Sequence, residues 1–198
     1  MKPTTVLKPT RPDVGKCTMN NSNSADLLSH PVALELSKQL EQSCSRRLEL
    51  SKQLGRSYSP NYGWTAAKAV LKVGRTFIGI ARPKGYRQMK QKQCFGNAAK
   101  LALHNRGIYV EGFVLTPGSW PIHHAWLTLD EVHAIDVTLK DAPACHYLGI
   151  PFSHEVLCEW YIRRGCRSSL LHGDEEKTHA LLEYARLHPP SFNDTEPQ

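Results

Sequence analysis

Apolar positions recur along this chain first with a helical period and then with a strand period, and the order of those stretches sets the expected fold. Between Ser29 and Leu54, Leu34, Leu36, Leu40, Leu48, Leu50 and Leu54 fall at mixed spacings near 3.6, which predicts an amphipathic helix. The heptapeptide LELSKQL occurs twice there, at 34–40 and 48–54, an offset of 14 residues. Two heptads return equivalent leucines to a similar helix face. Such a helix packs on its own domain or serves as a helical hairpin or partner-binding element; two copies are too few for a solenoid. Arg56–Gly63 reads as a loop from its Ser, Pro and Gly, Trp64–Val73 as a short helix, Thr76–Ala81 as a short strand and Arg82–Lys92 as a basic loop.

The second half is more regular. Cys94–Asn105 predicts a helix with Gly107 as its C-terminal stop. Ile108–Leu115, His123–Leu129 and Val132–Leu139 read as strands, the last two joined tightly through Asp130-Glu131. Tyr147–Phe152 reads as a short strand that Pro151 confines to a sheet edge. Ser153 is placed to cap a helix reaching about Arg164. Asp174 is placed to cap a last helix to His188, with Glu175 and Glu176 in its first turn and Pro189-Pro190 ending it. Helices on a small antiparallel sheet give an α+β class.

Length and composition narrow this. With 198 residues there is room for one domain. Hydrophobic residues at 40% and charged residues at 22% exclude wholesale disorder, collagen and a coiled-coil rod. Residues 1–28 read as a flexible basic arm, 29–190 as a single α+β domain of catalytic type (helical segment 29–56, core 86–152) and 191–198 as a tail. No stretch approaches the ~18 apolar residues of a membrane helix, and the N-terminus holds no apolar block to act as a secretory signal. The six cysteines are scattered with no CxxC pair, so reduced thiols in a cytoplasmic chain are the expectation.

Charge is unevenly spread. The net charge of +7 combines 17 Lys+Arg and 5 Asp+Glu in residues 1–92, a net +12, with a net −5 in residues 93–198. Phosphate contacts from the basic half would give salt-sensitive nucleic-acid binding, although no recognised nucleic-acid motif is present. The sign changes immediately before Cys94. Lys84, Arg87, Lys90 and Lys92 therefore lie on the approach to that thiol, where they favour a thiolate or draw an acidic substrate.

Candidate chemistry centres on Cys94. A cysteine at a helix N-terminus faces unpaired N–H groups and the positive end of the dipole, both of which favour a thiolate. Ala98, Leu101 and Ala102 on the face below let the helix sit close against a sheet. Strand alternation puts His124, Trp126 and Thr128 on one face, and Ala134, Asp136 and Thr138 on one face of the next strand. A three-residue turn pairing Thr128 with Val132 would set His124 directly across from Asp136; a two-residue turn would make the pair diagonal, still within reach. Either arrangement gives a base and an orienting carboxylate for a thiol nucleophile. A one-residue slip would substitute His123 for His124.

These residues resemble, in order, the transglutaminase-like core of the wider papain-like cysteine enzymes. The match runs through Cys94-Phe95-Gly96-Asn97-Ala98, the strand Gly107–Gly112, His124-Ala125-Trp126 and Asp136-Val137-Thr138. The resemblance implies Cys94 as nucleophile, His124 as base and Asp136 as orienting carboxylate, on a papain-like or transglutaminase-like fold, with no cofactor and no metal. It implies a thiol-dependent hydrolase or acyl transferase acting on a protein, peptide or small acyl substrate. The sequence departs from the family at Lys92, where a glycine is common, at Phe95, where tryptophan is common, and at Val137, where proline is common. Gln88, six positions before Cys94, matches the oxyanion-hole glutamine of papain-like enzymes, with Gln91 and Gln93 competing for the role and the Cys94 backbone N–H as a second donor. Trp126 stands as packing for the site or as a substrate contact.

Two other classes remain open. Cys145-His146, His154, Cys158 and Cys166 cluster in sequence without the usual finger spacing for zinc. A binding protein on the same fold, with an inactive triad and a basic half contacting nucleic acid or an acidic protein, is the non-enzyme alternative.

Overall fold

The computed structural model describes residues 29–54, 62–164, 168–171 and 175–192. The expected basic arm, the 56–61 part of the predicted loop, the Asp174 cap and most of the tail lie outside these. In chain order the elements are α1 (Pro31–Leu54), α2 (Tyr62–Val73), β1 (Arg75–Ile80), α3 (Cys94–Leu103), β2 (Ile108–Leu115), β3 (Ile122–Thr128), β4 (His133–Ile135), a 3-10 turn (Ala142–Ala144), β5 (His146–Phe152), α4 (His154–Arg164) and α5 (Glu175–Leu187). The class is α+β, as expected.

The sheet differs from the expected small antiparallel one. It closes into a five-stranded barrel in the order β1-β4-β3-β2-β5. β1 lies between β4 and β5, parallel to β4 and antiparallel to β5. A strand that precedes α3 thus closes a sheet whose other members all follow it. Closure also changes the reading of Pro151. β5 is flanked on both sides, but β1 pairs with it only as far as Gly149, where Arg75 begins the strand. Pro151 lies beyond that point, opposite Val110 of β2. Its missing N–H is tolerated because one side of the strand is locally unpaired.

Alternation along the strands sorts two cores. Phe77, Val110, Val114, Trp126, Ala134 and Tyr147 turn inward and fill the barrel. The opposite faces join the helices in a second core, with Leu36 of α1, Val70 of α2, Ala98 and Ala102 of α3, Leu157 of α4 and Leu181 of α5. A barrel this narrow holds Trp126 only because Gly149 faces it: a Cβ there would stand 2.6 Å from the indole ring and 2.8 Å from the Glu111 carbonyl. Ring edges from Phe77 at 5.6 Å and Tyr147 at 5.0 Å complete the packing.

α1 is one continuous helix that carries both LELSKQL copies. Val32, Ala33 and Leu36 are buried and Leu34 is exposed, so its first half packs on its own domain. α3 ends at Leu103, and the left-handed residue that stops it is Asn105, not Gly107. Asn105 adopts φ 54°, its N–H bonds Ala102 O at 2.9 Å, and the Arg106 N–H bonds Leu101 O at 3.0 Å. Those are the two bonds of a Schellman cap, with asparagine in the left-handed position. Gly107, at φ 107°, then turns the chain into β2. Ser153 caps α4 as expected, accepting the Val156 N–H at 3.2 Å. Among the described residues no helix is long and apolar enough to cross a membrane.

Candidate functional site

β4 is the shortest strand, and its brevity makes the site. Alternation predicts a strand from Val132 to Leu139, but pairing stops at Ile135. Asp136 ends it: its Oδ1 accepts the N–H groups of Thr138 at 2.7 Å and Leu139 at 2.9 Å. A side chain that captures the next backbone donors draws the chain out of the ladder. The β3–β4 connection is four residues, Leu129–Val132, longer than either expected turn. Asp130 Oδ1 organises it, accepting the N–H of Val132 at 3.1 Å and of His133 at 2.8 Å. The register pairs Leu127 with Ile135, which sets Asp136 across from Trp126 and makes His124 its diagonal neighbour.

Across that diagonal, His124 Nε2 lies 2.7 Å from Asp136 Oδ2. The Tyr147 hydroxyl donates to the same oxygen at 3.0 Å. Asp136 is fully buried and His124 is 3% exposed. A carboxylate with all its lone pairs occupied by donors has no proton to give, so Nε2 carries the hydrogen and Nδ1 is the nitrogen left for another partner. Burial alone would raise the Asp136 carboxyl, but His124 and the two backbone donors hold it below its ordinary range. Burial likewise opposes the His124 imidazolium. Hydrogen bonds and charge from Asp136 and Cys94 outweigh it and raise His124 to about 9. Cys94 thus stands within interaction range of His124. For Tyr147, burial first and then the Asp136 charge push the phenol well up, so it remains a donor.

Cys94 is half-buried at the head of α3. Lys92, two residues before, has φ 61°. The left-handed conformation suits glycine, and a lysine holds it at a cost. Asn97 follows Cys94 by one turn and is buried; its Nδ2 donates to Lys90 O at 2.7 Å and to Thr138 Oγ1 at 3.0 Å. The loop before the helix is pinned to the same turn elsewhere. The Met89 N–H bonds Val137 O at 2.7 Å, and Arg82 Nη1 donates to the carbonyls of Leu139 at 2.8 Å and Asp136 at 3.2 Å. Gln88 is exposed beside Met89, Gln91 is exposed, and Gln93 is half-buried at the head of α3.

His123 takes the opposite face of β3. It stacks on Phe113 at 5.0 Å and meets the Phe95 ring edge-on at 5.1 Å. Its Nε2 stands 3.0 Å from Glu111 Oε1, close enough for an ion pair but off the line of a hydrogen bond. The register therefore decides between the two histidines in favour of His124. Trp126 is fully buried beneath His124, the two rings stacked at 6.5 Å. It packs the site from within the barrel and cannot touch a substrate, which removes it as a binding residue.

Tyr147, Asn97 and Arg82 were not singled out by sequence reasoning. Tyr147 reaches Asp136 only through barrel closure, which no local pattern signals. Asn97 had a signal: a lone amide on a helix face otherwise made of small apolar residues.

Of the sequence-clustered Cys and His residues, Cys145 is buried behind Asp136, donating to Asp141 O at 3.3 Å. Burial and the Asp136 charge push its thiol up. Among the described residues no three His, Cys, Asp or Glu side chains converge as a metal site. A cleft of about 770 Å³ lies at the far end of α3, lined by Lys84, Tyr86, Arg106, Phe152, His154 and Leu157 among others. Ten residues of helix put it roughly 15 Å from Cys94, so this cleft does not coincide with the candidate nucleophile.

No family model, no curated protein and no solved structure matches the chain.

Proposed function

We propose that the protein is a thiol-dependent hydrolase or acyl transferase of transglutaminase-like or papain-like type, working through an acyl-enzyme on Cys94. One observation carries this reading: a buried His124–Asp136 pair whose free imidazole nitrogen is left for a cysteine at a helix N-terminus. A structural histidine needs no second carboxylate-locked partner of this kind, whereas a nucleophile with base and orienter does.

In the proposed reaction the proton of Cys94 already rests on His124 Nδ1 at neutral pH, and the sulfur attacks an acyl carbonyl carbon as the thiolate. Asp136 holds Nε2–H and offsets the imidazolium charge. The oxyanion is received by the Cys94 backbone N–H, with Gln88 as the candidate side-chain donor. Collapse breaks the bond to the leaving amine or alkoxide, which takes the proton from His124. Water or an amine, deprotonated by His124, then attacks the thioester and restores the thiol. Protease, amidase, deamidase and transglutaminase chemistry all follow this course and differ in acyl donor and acceptor. The chain carries no acidic residue between Glu49 and Glu111. Lys84, Arg87, Lys90 and Lys92 are all exposed in the loop leading to Cys94. That rim supports a substrate with negative charge near the acyl group.

Alkylation by iodoacetamide with peptide mapping tests the reading. Cys94 should be modified well ahead of the other cysteines, and His124→Ala should slow it by about 10²–10⁴. An activated ester should leave an acyl adduct on Cys94 detectable by mass spectrometry. If Cys94 reacts no faster than Cys17, the enzyme reading fails. The basic half as a binding surface for nucleic acid or an acidic protein would then take its place.

A further inference from the structure

The pair His124–Asp136 and the thiol of Cys94 belong to different layers: the pair to the barrel, the thiol to a helix packed outside it. Something must set the distance between them. The head of α3 does not do so through its own capping, because Gln93 makes no side-chain cap bond. The loop 81–93 that leads into it is neither helix nor strand, and Lys92 holds a strained φ of 61°. One backbone bond, from the Met89 N–H to Val137 O, ties that loop to the turn after β4, and the remaining polar ties come from side chains that cross between the layers.

We propose that Asn97 is a positioning residue that fixes the spacing between Cys94 and the His124–Asp136 pair, acting with Thr138; this rests on the catalytic reading above. Asn97 is 5% exposed, and both hydrogens of its amide are used. One goes to Lys90 O at 2.7 Å, in the loop that delivers Cys94. The other goes to Thr138 Oγ1 at 3.0 Å. Thr138 in turn donates its own N–H to Asp136 Oδ1 at 2.7 Å. A single amide thus links the approach to the thiol, the helix that bears it, and the turn that fixes the carboxylate. The link is short and made of buried hydrogen bonds, which are worth more in a low-dielectric interior than at the surface. An isosteric aspartate cannot replace it. A carboxylate only accepts, and it would face the lone pairs of the Lys90 carbonyl.

The test reads Cys94 reactivity and His124 titration in the full chain, at a temperature where each variant is folded by circular dichroism. Asn97→Ala and Asn97→Asp should each slow iodoacetamide modification of Cys94 by about 10–100-fold, the cost of displacing a reacting group by roughly 1 Å. The imidazole signals of His124 should shift as Cys94 moves away. Thr138→Val should reproduce part of the loss, Thr138→Ser should recover it, and Asn97→Ala with Thr138→Val should be no slower than Asn97→Ala alone. A merely structural role would lower the melting temperature of Asn97→Ala while leaving both the Cys94 rate and the His124 signals unchanged, and that result would overturn the proposal. If Asn97→Ala does not fold, the Thr138 pair decides: equal rates in Thr138→Val and Thr138→Ser would overturn it. Failure of the catalytic reading is separately visible, since there His124→Ala would leave the Cys94 rate unchanged.

Discussion

Asp136 and His124 are diagonal neighbours on β4 and β3, yet their side chains meet at 2.7 Å. The diagonal works because β4 ends one residue earlier, so Asp136 is free of the ladder and turns its carboxylate along the barrel interior to reach back. Its other oxygen holds the turn that frees it. The carboxylate that bonds the imidazole therefore also holds the turn that ends β4.

His124 provides a titration test. Burial is the largest influence on it and favours the neutral ring, while Asp136 and Cys94 raise it to about 9. In Asp136→Asn, burial should dominate and the titration followed by NMR should fall below the ordinary value of about 6.5. The sign for stability follows. A pKa raised in the folded state contributes stability that is full below about pH 6.5 and is lost as pH rises through about 9. Urea unfolding should show that loss in the parent and not in Asp136→Asn.

Lys92 gives a stability test that spares the chemistry of the triad. Its left-handed φ of 61° costs a non-glycine residue roughly 1–2 kcal/mol. Lys92→Gly removes that cost but loosens the unfolded chain by about 0.4–1 kcal/mol. The net should be a gain approaching 1 kcal/mol in denaturant unfolding, whereas Lys92→Val should be destabilised.

Glu111 tests the second carboxylate. Fully buried on β2, its Oε1 accepts from Ser169 Oγ and the Leu171 N–H, and its Oε2 accepts from Tyr109 OH at 2.6 Å and the Leu170 N–H at 2.8 Å. Glu111→Gln must turn an NH₂ toward two donors whichever way it flips. It should cost about 3–5 kcal/mol, the scale of breaking a buried charge from its partners. Hydrogen exchange should show the amides of Leu170 and Leu171 losing protection more than those of β3.

The sequence made some of this legible and hid the rest for definable reasons. β2 was readable residue for residue because Ile108–Leu115 is bounded by Gly107 and by Thr116-Pro117-Gly118. Cys94, His124 and Asp136 were readable because a helix start and strand parity are local properties. The early end of β4 was hidden because Ala134, Asp136 and Thr138 continue the alternation that Asp136 interrupts by hydrogen bonding. Barrel closure was hidden because Phe77 and Tyr147 are 70 positions apart and share a core only after β1 enters between β4 and β5. Trp126 was ambiguous because an aromatic beside a histidine reads the same from either side of a strand.

Closure by β1 also sets what counts as the smallest working unit. The segment from Cys94 to Asp136 holds the thiol, the imidazole and the carboxylate. Both walls that make the carboxylate's surroundings come from outside it: β1 from upstream and β5, with Tyr147, from downstream. A fragment running from Cys94 to Leu139 would contain the thiol, the imidazole and the carboxylate but neither β1 nor the Tyr147 hydroxyl of β5 that bonds Asp136. During synthesis the ribosome must release β5 before the site can exist at all. The motif is therefore not a transplantable cassette, and grafting it elsewhere would carry the letters without the chemistry.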